Sequence, residues 1–247
     1  MNAQSQVDVL KQWEGNMSFT RNPGRFAGLL YVLFSIPGFF AMVYVPDKLI
    51  VDGNATVTAS NIAAHETLFR LGIAAQLISQ AGFIFVALAL YDLLKGINRR
   101  YALLMVILVV GLIPIGFLNE LNSIAALALA RGTDFLSIFE KPQRDALAML
   151  FLNLHFQGIV VDEIFFGLWL VPLALLVYRS RFLPRFLGVW LVIDGLGWVI
   201  LSLTGVLLPQ YYGKVFTYCQ PAFFAEVALM LWLLIMGANP PALNIAA

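Results

Sequence analysis

The sequence predicts an all-α protein, a polytopic bundle of six transmembrane helices with both termini cytoplasmic. Three observations carry that expectation. Of 247 residues, 61% are apolar and 12% charged, with a mean hydropathy of +0.85; a soluble domain is about half apolar and about a quarter charged. Six apolar stretches reach the roughly 20 residues that cross a hydrocarbon core of about 30 Å. The turns on one side are short and rich in arginine, the mark of a cytoplasmic face.

In chain order, residues 1–25 are expected to be a cytoplasmic or interfacial segment, in which Val7, Leu10, Trp13 and Met17 can form a short amphipathic helix. It does not read as a cleaved signal peptide, because the apolar run that follows is too long and no small-x-small site closes it. The membrane domain covers 26–237, with spans at 26–45, 68–94, 101–130, 146–178, 182–208 and 218–237, and 238–247 form a tail. The fourth span is too long for a straight crossing and should project or tilt. Pro114 and Pro172 should kink the third and fourth.

The linkers between spans differ in kind. Lys95–Arg100 and Arg179–Arg185 are short and basic, whereas 46–61 and 131–145 are longer and more acidic. Nine basic residues on the first side face six on the other, which places the termini inside. Asn54-Ala55-Thr56 fits a glycosylation sequon, a weak signal by itself. Cys219 is the single cysteine, so no intramolecular disulfide can form.

Acids interrupt four of these spans: Glu120, Asp162, Glu163, Asp194 and Glu226, with His155 seven residues before Asp162. No lysine or arginine accompanies them. A carboxyl at membrane depth costs several kcal/mol unless protonated, paired or hydrated, so such residues usually face the bundle interior or a watery cavity. Helical rise puts Glu120, His155 and Glu226 in the outer half, with Asp162, Glu163 and Asp194 nearer the midplane. They are therefore expected to converge in one outward-biased pocket centred on His155 and Asp162, which at 100° per residue share a helix face.

Neighbouring polar residues belong to the same picture. His65, Gly72 and Gln76 line one face of the second span, and Asn119, Asn122 and Ser123 surround Glu120. Gly188, Gly195 and Ser202 make a small-residue stripe suited to close helix contact. Bland readings compete throughout. His65 reads as a capping residue, Glu66–Arg70 and Asp92–Lys95 as ordinary helix-end ion pairs, and the amides as interhelical hydrogen bonds. Asp194 and Glu226 can be structurally bonded neutral acids.

Three stretches, Asn22-Pro23-Gly24-Arg25-Phe26, Asn61-Ile62-Ala63-Ala64-His65-Glu66-Thr67 and Ile164-Phe165-Phe166-Gly167-Leu168 followed by Arg181-Phe182-Leu183-Pro184-Arg185, resemble an uncharacterised bacterial family of integral membrane proteins, domain of unknown function 4386. The resemblance implies a single-domain, six-span protein of the bacterial inner membrane and carries over no catalytic role.

Three functions fit these residues. The preferred one is a binding, sensing or accessory membrane protein whose pocket takes a small amphipathic molecule or lipid, with the bilayer and a partner membrane subunit as further partners. The second is an intramembrane enzyme. No Glu-x-x-His, His-x-x-x-His or His-Glu-x-x-His occurs, so no metal site is assigned and the cofactor stays open. The third is proton- or cation-coupled transport, which acid and histidine relays serve. A net charge of +1 offers no basic stripe for nucleic acid, and no lysine within a span can carry retinal.

Overall fold

Small residues let the membrane helices approach closely where the hydrophobic effect offers no drive between them. In the computed structural model, which describes residues 22–239, the chain is helical, with no strand among the described residues. Helix α1 (Pro23–Phe39) runs through a π turn (Phe40–Tyr44) into α2 (Val45–Leu49), and together they form the first span. A loop helix α3 (Ala55–Ala64) precedes the second span, α4 (Glu66–Leu94). The remaining spans are α5 (Arg99–Arg131), α6 (Lys141–Arg179), α7 (Arg185–Leu207) and α8 (Tyr212–Ile235), the last led by a 3-10 turn. The amphipathic stretch around Val7–Met17 lies outside the described residues.

The spans form a closed ring in which each packs beside its sequence neighbours and the sixth returns to the first. Asn22 fastens that closure, because its side chain accepts from both Arg25 N and Ala238 N. Gly24 N donates to Ala238 O at 3.0 Å. A Cβ on Gly24 or Gly28 would run into the backbone of Ala238 or Leu234. The two described ends therefore lie on one side of the bundle, here the near side.

Packing is densest in the near half. Trp169, Leu170, Leu173, Leu176, Leu187 and Leu191 are fully buried. An aromatic chain crosses the ring, with Tyr31 edge-on to Phe83 at 5.6 Å and Phe83 edge-on to Trp169 at 5.2 Å. The expected small-residue stripe is present. Gly188 packs on Tyr178, a Cβ on Gly195 would stand 2.8 Å from Gly167 O, and Ser202 is fully buried.

Several elements differ from expectation. The end of the 46–61 linker is helical and continues to Ala64 as α3, whose Thr58, Ala59 and Ile62 face is buried against α5 and α6. Asn54 of the sequon is its N-cap, accepting from Val57 N at 3.0 Å. The fourth span begins at Lys141 on a Glu140–Gln143 capping box and is 39 residues long. The sixth span starts at Pro209 rather than near 218. That extension moves Glu226 from the outer half to nine residues from the near end.

Candidate functional site

A π turn supplies part of the wall of a cavity. Five residues, Phe40–Tyr44, wind one residue wider than an α-helix between Pro37 and Pro46, and such bulges recur at functional sites. Across from the turn, Gly72 supplies a surface without a side chain, where a Cβ would meet Val45 at 3.1 Å. Between them and the third and fourth spans lies a cavity of about 330 Å³ in the far half.

Its walls are apolar: Met42, Val45, Phe69, Ile73, Leu152, Phe156 and Ile159 among them. Four polar side chains, Gln76, Glu120, Ser123 and His155, also line it. Met42 is 46% exposed and Phe156 45%, so the lining includes half-exposed apolar side chains from the first and fourth spans. By helical rise Met42 sits about 28 Å from the near end of its span, at the edge of the hydrocarbon layer.

Neighbouring helix turns orient the histidine. Asn119 Nδ2 donates to His155 O at 2.9 Å, and Asn122 Nδ2 donates to Asn119 Oδ1 at 3.1 Å. Ser123 Oγ lies 3.2 Å from His155 Nδ1. Gly158 lets Asn119 lie against α6, since a Cβ there would occupy the amide's place. His155 Nε2 then stands 3.8 Å from Glu120 Oε1, beyond direct hydrogen-bond reach. Gln76 Oε1 is buried without a protein partner. The pocket thus presents acceptor groups that a hydroxyl or an amine can satisfy.

The candidate residues divide into separate groups instead of one pocket. Glu120, His155 and Gln76 line the cavity. Asp162 does not: two helical turns further along, it is buried outside the lining with Oδ1 unpartnered. Its shared face with His155 places both toward the bundle, but about 10 Å apart along the axis. Glu163 accepts from Tyr212 Oη at 2.7 Å, bridging the fourth and sixth spans. Glu226 accepts from Tyr31 Oη at 2.5 Å, closing the first span on the sixth. Asp194 is fully buried beside Glu226 and Trp198.

Among the described residues no group of three or more His, Cys, Asp or Glu side chains comes together. His65 is exposed, its Nδ1 3.1 Å from Asn61 O at the junction of α3 and α4, as a capping role requires. Glu66–Arg70 and Asp92–Lys95 pair at 2.6 and 2.5 Å, and Asp92 holds the exposed Lys95 ammonium above its ordinary range. The wall supplied by Ala41, Met42 and Val45 was not legible beforehand, although Pro37 and Pro46 bracket it.

An uncharacterised protein of the archaeon Archaeoglobus fulgidus is 29% identical to this chain over 154 residues, covering 62% of the chain and 76% of that protein. No solved structure matches. The family profile described as Domain of unknown function (DUF4386) matches residues 26–237, and the chain belongs to that family.

Proposed function

We propose that this protein is a binding or sensing module of the cell membrane that takes a small, single-chain amphiphile into the far-half cavity. One observation carries the reading: a cavity of about 330 Å³ with apolar walls, acceptor groups at Gln76 and Glu120, and half-exposed apolar side chains at Met42 and Phe156. A molecule dissolved in the bilayer can enter past those side chains tail-first or head-first without crossing water. Its hydroxyl or amine head would then satisfy Gln76 Oε1, which is buried without a protein partner at a cost of about 1–3 kcal/mol, and would stand beside Glu120 and His155. The distribution of basic residues supports an orientation with both termini cytoplasmic, so the cavity belongs to the outer leaflet.

The test is native mass spectrometry of protein extracted in mild detergent, with lipid identification of whatever dissociates. The expected result is a copurified amphiphile that disappears in Ala41→Phe, which fills the cavity, and in Glu120→Leu, which removes its acid. A wild-type protein that carries no such molecule and binds none of a panel of long-chain alcohols and amines refutes the reading.

Proton- or cation-coupled transport is the second reading, favoured by depth. Asp194 and Glu226 lie about 13 Å from the near ends of their spans, Asp162 about 25 Å and Glu120 about 31 Å. Acids spaced through the bundle suit a relay. Proton flux in liposomes that collapses in Asp162→Asn would establish it.

A further inference from the structure

We propose that the groove between the second and third spans, on the far side of the bundle, is a binding site for an anionic glycerophospholipid of the surrounding leaflet. It is separate from the cavity of the proposed function and does not depend on it. The groove has a volume of about 300 Å³ and is lined along its length by Ile73, Ala74, Leu77 and Ile124. Arg70, Arg131 and Thr133 stand at its mouth.

Charge and depth select the occupant. Glu66 accepts from Arg70 Nε at 2.6 Å and lies 3.1 Å from Arg131 Nε, so one carboxylate joins two guanidiniums. The trio keeps one net positive charge. Each arginine spends its Nε on Glu66, while its terminal N–H groups have no protein acceptor among the described residues. Both side chains are about half exposed, 54% for Arg70 and 45% for Arg131. Thr133 Oγ1 is buried at the same mouth without a protein partner.

Guanidinium forks and a hydroxyl are the donors that phosphate oxygens take. By helical rise Arg70 lies about 36 Å from the near end of its span, just beyond a hydrocarbon core of about 30 Å and therefore at headgroup level. The apolar stretch below it runs down into the hydrocarbon, where an acyl chain lies. A phosphodiester head with no compensating cation matches the net charge, so phosphatidylglycerol should be preferred over phosphatidylcholine.

The test is competitive lipid binding. The protein is exchanged into nanodiscs of equimolar phosphatidylglycerol and phosphatidylcholine, and the lipids that remain bound after release are counted by native mass spectrometry. One net charge near the membrane surface predicts a preference of about fivefold for phosphatidylglycerol. Arg70→Gln with Arg131→Gln should abolish that preference. Ala74→Trp, which obstructs the groove and leaves both arginines in place, should release the lipid while the fold stays intact by circular dichroism. Glu66→Gln should strengthen the preference, because it frees a second charge. Equal retention of the two lipids by the wild type overturns the proposal, as does a preference that survives both Ala74→Trp and the double arginine variant. Millimolar inorganic phosphate should not displace the lipid; displacement would mean a free-anion site and would also overturn it.

Discussion

The near and far halves of the bundle are made from the same apolar residue types and are packed in opposite ways. In the near half, glycines bring helix backbones together and an aromatic chain from Tyr31 through Phe83 to Trp169 fills the centre. In the far half the first span widens into a π turn, α3 packs over the ends of the third and fourth spans, and a cavity of about 330 Å³ stays open. Two of the acids show the contrast. In the near half Glu226 accepts from Tyr31 Oη, whereas in the far half Glu120 faces the cavity with His155 just out of reach. A tightly packed half provides the frame against which the other half can remain open.

The largest test of that difference is a pair of truncations. Trp169→Ala removes a fully buried ring from the near half, and about 3–5 kcal/mol of stability should go with it. Ile159→Ala trims a wall of the cavity, where part of the side chain already lacks neighbours, so the loss should be about 1 kcal/mol. Reversible unfolding in mixed micelles measures both. Equal losses would mean that the far half packs as tightly as the near half.

Tyr31→Phe probes the next level down. It leaves the ring in place against Phe83 and removes the hydroxyl that donates to Glu226, so a buried acid loses its partner. The expected cost is about 1–2 kcal/mol. Thermal unfolding should show this drop while the amphiphile proposed for the cavity is still bound, since Glu226 lies in the other half. Loss of the ligand without loss of stability would join the two halves functionally and contradict their separation.

Much of this architecture was legible in the sequence because lipid as solvent imposes long apolar runs, and six such runs mark six spans. The local faces were legible too: Gly72 with Gln76, and Asn119, Asn122 and Ser123 around Glu120, follow from helical phase alone. What was not legible depends on how helices face one another. His155 and Asp162 share a face, but the partners of His155 come from another helix, at Ser123 and Asn119. Gln210 and Lys214 dilute the apolar character of the first turns of the sixth span, so the apolar run marks its start only near 218. Its true start brings Glu226 level with Asp194. Helix α3 was hidden by its Thr, Ser and Asn content, although Asn54 as cap and the i, i+4 spacing of Thr58 and Ile62 signal it.

The two histidines offer the smallest and most discriminating comparison. Both sit at the far side on helices that bear polar neighbours, and their imidazoles are chemically the same. His155 lines the cavity between Ser123 and Glu120, whereas His65 is exposed and hydrogen-bonds Asn61 O at the junction of two helices. His65→Ala should change stability by less than about 0.5 kcal/mol, as exposed substitutions do, and leave the bound amphiphile in place. His155→Ala should release that molecule, because it removes the group beside Glu120. Melting curves together with native mass spectra of both variants read the outcome. If His65→Ala also empties the cavity, the ligand reaches past α3 to the surface, and the boundary of the site must be drawn one helix turn further out.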